Sequence, residues 1–259
     1  MIRYVRLVSW EIWLPIVLLV AWWFASANSI NPYFPPLQTI LERCKEIWIW
    51  DGFHTDIVPS LRRLAIGFGA ACVVGTALGV LLGTVHWLDN ATRPYVELMR
   101  ATPGVALMPV IMLVLGLGDS FKTFTIAMVC TWPILLNAVD GVRSVEPLLK
   151  DVATSYRLSL RDRIRYIILP NAAPQVFAGA RTALAIGIVA MTVTEMVGDP
   201  GGVGSFTLLA YRSFRFADMW AGIIALGILG YILSKLFTLV ENRVLGWHKG
   251  MTAHNLGGK

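Results

Sequence analysis

Stretches of roughly 20 residues almost free of Asp, Glu, Lys and Arg recur along this chain, long enough for a helix to cross a hydrocarbon core about 30 Å thick. Inside lipid each backbone N–H and C=O must find a partner within the protein, so spans of this kind are helices. Six are expected, at about 10–27, 64–87, 101–117, 123–139, 174–197 and 220–240. The composition agrees: 56% of residues are hydrophobic and 15% charged, against about 45–50% and 25% in soluble domains. No stretch has soluble-like composition long enough for a second domain, so residues 1–259 read as a single all-α membrane domain.

The charges orient the spans. The net charge of +6 suits a membrane protein, whose Lys and Arg gather on the cytoplasmic side, and gives no reason to invoke nucleic acid. With the N-terminus inside, the inner face receives Arg3, Arg6, Arg93, Arg100, Arg143, Lys150, Arg157, Arg161, Arg163, Arg165, Lys235, Arg243, Lys249 and Lys259. The outer face receives half as many: Arg43, Lys45, Arg62, Arg63, Lys122, Arg212 and Arg215. Both termini and the loop 143–170 are therefore placed in the cytoplasm, with Arg62 and Arg63 sitting awkwardly at an outer span end. The N-terminus also fits a cleavable signal, with Ala25-Ser26-Ala27 as the processing site. Its length and bulky Trp22 and Trp23 favour an uncleaved first span. Leu37, Ile40, Leu41, Ile47 and Trp48 recur at helical spacing beside charges, as in an interfacial helix on membrane lipid at the outer face.

Within the spans, Gly67, Ala71, Gly75, Gly79 and Gly83 form a strip without bulky side chains, and Gly179, Ala183 and Gly187 repeat it, which predicts close helix packing. Pro103, Pro109 and Pro133 interrupt backbone ladders, either lining a cavity or merely kinking the helix. Arg181 and Glu195 are costly in hydrocarbon, and at about 1.5 Å per residue they stand too far apart to pair with each other. Each needs another helix or water, through snorkelling, bracing or substrate contact. Cys44, Cys72 and Cys130 are widely separated packing residues, and His54, His86, His248 and His254 lie in loops or at span ends, so no metal site is indicated.

The loop before the fifth span carries two helical patterns. Asp151, Val152, Ser155 and Leu158 mark the first; Ser159 caps a second that carries Asp162, Ile164, Ile167 and Ile168 and is expected to end at Pro170. At these residues the chain resembles the permeases of binding-protein-dependent ATP-binding cassette importers, whose loop reads Glu-Ala-Ala, three residues, Gly, nine residues, Ile-x-Leu-Pro. Asp151-Val152-Ala153 and Ile167-Ile168-Leu169-Pro170 stand at those places. Arg100-Ala101-Thr102-Pro103, Gly116-Leu117-Gly118, Asn137 to Arg143, Gly179-Ala180-Arg181 and Glu195-Met196 look like the nitrate, sulfonate and taurine subgroup, and the likeness covers the chain after Pro59. The motif Gly is Arg157 here. A turn that uses Gly for positive φ is costly for Arg, which leaves a loop that bends differently or a weaker grip on its ATPase.

The resemblance implies a type I importer fold, six transmembrane helices and a cytoplasmic coupling helix pair, in a bacterial inner membrane. It implies as partners ATPase subunits that hold the ATP and Mg, a periplasmic or lipid-anchored substrate-binding protein, and a second permease, identical or not. The chain itself would bind no cofactor and catalyse nothing. Asp151, Ala153, Thr154, Ser155, Tyr156, Arg157, Leu169 and Pro170 are the candidate ATPase-coupling residues, and Arg100, Pro103, Met108, Arg181, Met191 and Glu195 the candidate path or gate. The cargo would be a small anion such as a sulfonate, nitrate or an aromatic carboxylate. The nearest approach to a phosphate loop ends Phe121-Lys122-Thr123 where Gly-Lys-Ser/Thr is required. A secondary transporter or channel, the remaining rival, needs acidic coupling groups or unwound helix pairs, for which Glu195 alone is thin support.

Overall fold

The computed structural model describes residues 2–27, 29–49 and 51–247, all in helices and their connections; His248, Lys249, His254 and Lys259 lie outside them. In chain order the helices are α1 (Ile2–Ser26), α2 (Leu37–Trp48), α3 (Val58–Thr84), α4 (His86–Ala101), α5 (Met108–Leu115), α6 (Asp119–Arg143), α7 (Pro147–Ser155), α8 (Leu160–Arg163), α9 (Leu169–Val197), α10 (Val203–Arg212) and α11 (Phe216–Val244). Four continuous helical stretches are long and apolar enough to cross a membrane: Phe53–Thr84, Asp119–Arg143, Leu160–Val197 and Phe216–Val244. A fifth crossing is supplied if the bent pair His86–Ala101 and Gly104–Leu115 counts as one.

The chain forms two compact units, one of Met1–Pro59 with Pro200–Gly227 and one of Ser60–Asp199 with the chain from Ile228 onward. In the first, α2 is amphipathic, and it buries Leu37 and Ile40. The Trp48 indole donates to the Ala221 carbonyl at 3.1 Å, and Arg43 pairs with buried Asp218 at 2.6 Å. That bond raises the Arg43 pKa above its ordinary value.

The second unit is organised by α6, which the glycine strip of α3 meets on one side and α9 on the other. A Cβ at Gly79 would stand 2.8 Å from the Leu135 carbonyl and closer still to the Ala138 side chain. On the far side, a Cβ at Gly179 would stand 2.7 Å from the Pro133 carbonyl. Backbones approach that closely only where side chains are absent. At the end of the unit that the loop 143–170 adjoins, Val142, Ile168 and Ala172 close the packing, with Val80, Ile164 and Val176 against them.

Two expectations are corrected. The third span is not a helix over 101–117: the chain bends by 89° between α4 and the turn that starts α5. Thr102 is extended at ψ 122°, because the residue before a proline is driven out of the helical region, and Pro103 follows at ψ 116°. Nor does Pro170 end the second loop helix, since Leu160–Val197 is continuous. Over Ile164–Ile168 the ladder widens into a π-turn, and the Leu169 N–H reaches back five residues to the Ile164 carbonyl. The widened register takes in a proline ring that would collide with the carbonyl four residues back in a regular α-helix.

Candidate functional site

The loop 143–170 folds as two short helical pieces around a tight turn. Ser159 caps the second as its sequence predicts, its hydroxyl accepting from the Asp162 N–H at 3.2 Å. The turn between them is a Schellman closure: the Leu158 N–H bonds to the Ala153 carbonyl and the Arg157 N–H to the Thr154 carbonyl, both at 3.0 Å. Arg157 takes the left-handed conformation, φ 52°. The turn therefore keeps the geometry a glycine would adopt, and the arginine bears the strain.

Asp151, Thr154, Ser155, Tyr156 and Arg157 are exposed, Tyr156 by 78%, whereas Ala153 is fully buried and serves as packing under the turn. Leu169 and Pro170 begin α9. The Arg163 guanidinium donates to the Thr154 hydroxyl at 3.1 Å and ties the two pieces together.

A cavity of about 510 Å³ lies where the broken third span meets α6 and α9. Its walls include Met99, Pro103, Val105, Met128, Val129, Trp132, Pro133, Leu136, Ile186 and Val189, with Arg100 on the lining. The bend makes the space: α5 starts only after Thr102-Pro103, and Gly104 lets that turn press directly onto Val129. A second cavity of about 260 Å³ is lined by Asp89, Arg93, Glu97, Arg100, Asp140 and Arg143. There Arg143 pairs with Asp89 at 2.5 Å and Arg93 with Glu97 at 3.3 Å. Arg100 lines both cavities and has no carboxylate partner among the described residues.

The remaining path candidates lie elsewhere. Met108 is buried with Ile111 and Phe121, and Met191 is buried in α9. Arg181 pairs with Glu241 of α11. Glu195, 1% exposed, accepts from Ser60 at 2.7 Å and from Arg63 at 2.9 Å. Arg63 also donates to Asp119 at 2.7 Å, and Arg62 pairs with the same carboxylate. Lys122, 1% exposed, donates to the Asp199 carbonyl at 2.7 Å.

This cluster pins the ends of α3, α6 and α9 together and gives Arg62 and Arg63, which sit awkwardly under the charge rule, carboxylate partners. Sequence reasoning flagged Arg62 and Arg63 as anomalous without finding Asp119 or Lys122. It also missed Trp132, Ile186 and Val189, which differ from ordinary span residues only in facing a cavity.

Residues 75–246 match the family described as binding-protein-dependent transport system inner membrane component. The nitrate import permease protein NrtB of Synechocystis sp. is 29% identical over 238 residues, 88% of this chain and 86% of that protein. The taurine transport system permease protein TauC of Escherichia coli is 28% identical over 240 residues, 90% of this chain and 87% of that one. Bacillus subtilis has a putative aliphatic sulfonates transport permease protein, SsuC, that is 26% identical over 236 residues, 90% of this chain and 86% of that one. Among solved structures, the inward-facing MetNI methionine ABC transporter superposes with a TM-score of 0.65 at 18% identity over 76% of this chain and 96% of that chain, a likeness of fold. The chain belongs to the family of binding-protein-dependent transport system inner membrane components, the permease subunits of ATP-binding cassette importers.

Proposed function

We propose that this permease carries a small anion into the cytoplasm, coupled to its ATPases through the exposed face of α7 and the Arg157 turn. The relatives named for nitrate, taurine and aliphatic sulfonates support an anionic cargo, and Arg100, facing two cavities without a carboxylate partner, supplies the complementary charge. The chain crosses the membrane six times as one domain with both termini inside: α1, 25 residues long, makes the first crossing and the bent α4–α5 pair the third. A binding protein delivers the anion from outside, and a second permease, most simply another copy, completes the path.

One observation carries this reading. The face that would be gripped, α7 and the Arg157 turn, adjoins the start of the continuous helix Leu160–Val197, whose far half walls the cavity at Ile186, Val189 and Ala190. Thirty-eight residues of helix make a rod of about 57 Å at 1.5 Å per residue. A displacement applied at Asp151, Thr154, Ser155, Tyr156 or Arg157 passes through the Arg163–Thr154 bond into that rod and reaches the cavity wall. Rigid elements with two packed arrangements switch access in this way.

The test places single cysteines at Ser155 and Tyr156 in the assembled transporter and applies a bifunctional crosslinker. Products joined to the ATPase subunit are expected. Crosslinks to phospholipid alone, in a preparation that still transports, would sink the proposal.

A further inference from the structure

Resting on that reading and narrowing its cargo, we infer that the cavity beside Arg100 takes an organic monoanion with an apolar body, such as an alkyl or aryl sulfonate or carboxylate, and rejects small inorganic anions and zwitterions.

The lining decides the chemistry. Met99, Val105, Met128, Val129, Leu136 and Val189 present hydrocarbon, while the charged lining is Arg100 alone and no carboxylate is among it. The Thr102 hydroxyl already donates to the Leu98 carbonyl at 2.9 Å, so it offers no hydrogen to a ligand. Among the lining side chains, the polar groups that remain are the Arg100 guanidinium and the Trp132 indole. A guanidinium matches one planar or tripodal anionic head. Nitrate or bicarbonate leaving water needs donors around its whole perimeter, and this lining is mostly hydrocarbon with one charged side chain. A zwitterion in this cavity brings an ammonium group that must lose its hydration against a lining without a carboxylate, those of Asp89, Glu97 and Asp140 belonging to the second cavity. A hydrocarbon body gains wherever the other two lose, by leaving water for an apolar surface. The volume, about 510 Å³, falls within the range of small-molecule sites, about 300–1,000 Å³.

The test measures the cavity apart from the selectivity of a binding protein. The permease–ATPase complex, in phosphatidylcholine nanodiscs and without binding protein, is titrated by equilibrium dialysis with radiolabelled butanesulfonate. Unlabelled ethanesulfonate, hexanesulfonate, benzenesulfonate, nitrate and taurine compete. Each added methylene is expected to tighten competition about fourfold until the cavity fills, with benzenesulfonate effective and nitrate and taurine weaker than ethanesulfonate. Arg100→Gln should weaken butanesulfonate binding about tenfold or more, and Arg100→Lys should recover part of it. Val189→Asn, on an exposed wall position, should flatten the methylene series without unfolding the protein.

A flat series, taurine or nitrate as the best competitor, or no binding at all overturns the inference, while crosslinking of Ser155 to the ATPase continues to support the permease reading. Adding phosphatidylglycerol to the discs separates a soluble anion from a lipid. If that lipid displaces butanesulfonate as well as hexanesulfonate does, the cavity is a lipid site and the inference is wrong.

Discussion

Arg63 of α3 and Glu195 of α9 meet at 2.9 Å, with Glu195 fully buried and Arg63 only 6% exposed. Ser60 donates to the same Glu195 oxygen, and Asp119 accepts from Arg63 as well, so both charges are compensated. Removing one partner leaves the other stranded in low dielectric, which costs about 3–5 kcal/mol. Glu195→Leu and Arg63→Leu are each expected to lower the thermal unfolding temperature of the purified complex markedly, whereas the double substitution should lose less than the sum. Additive losses would show that the two charges are not coupled.

Arg157 holds φ 52° in a turn closed by two backbone bonds. Glycine reaches that region without penalty, although it also enlarges the freedom of the unfolded chain. The net effect of Arg157→Gly should be stabilisation of the loop by about 0.5–1 kcal/mol, read as slower hydrogen exchange at Arg157 and Leu158, with coupling preserved or strengthened. Arg157→Val, β-branched, should go the other way. If transport falls in the glycine variant while exchange slows, the guanidinium itself contacts the partner. Phe214 repeats the geometry after α10, with φ 57° and the same pair of closing bonds from Phe214 and Arg215.

Much of this was legible in the sequence because it depends on local patterns. Apolar length located the helices, and Ser159 with Asp162 announced a cap that the structure contains. The glycines four residues apart announced a seam without naming its partner. Relations set by distant residues were not legible. The sequence around Pro170 argues for a helix end, and the π-turn before it, with the packing of Val142, Ile168 and Ala172, lets the helix continue. Arg181 and Glu195 each needed a partner, but nothing local says that Glu241 and Arg63 supply them, 60 and 132 residues away. Met108 and Met191, candidates for the path, are buried, and the sequence does not tell this, because which face of a span borders a cavity is decided by the neighbouring helices.

Asp151 is exposed on α7 beside Thr154 and Ser155. Its carboxylate stands in the place of the motif glutamate and makes no hydrogen bond or ion pair among the described residues, so its charge is available to a partner. Asp151→Lys should leave the permease folded, with unchanged unfolding temperature, while reducing stimulation of the ATPase by loaded binding protein about tenfold, as loss of a charge-assisted contact implies. An unchanged stimulation would remove Asp151 from the contact surface.

The seam between α3 and α6 permits a sharper contrast between two glycines of one helix. Gly79 faces α6, where an added methyl group would stand 2.8 Å from the Leu135 carbonyl, a backbone atom that cannot swing aside. Gly69 has nothing within 4 Å of the same added carbon. Gly79→Ala must therefore push two helices apart, at a cost of about 1–3 kcal/mol for overpacking. Gly69→Ala gains up to about 1 kcal/mol in helix propensity with no steric price. Thermal unfolding of the two variants in one detergent checks the difference, and equal behaviour would mean that α3 does not lie against α6 by its glycine face.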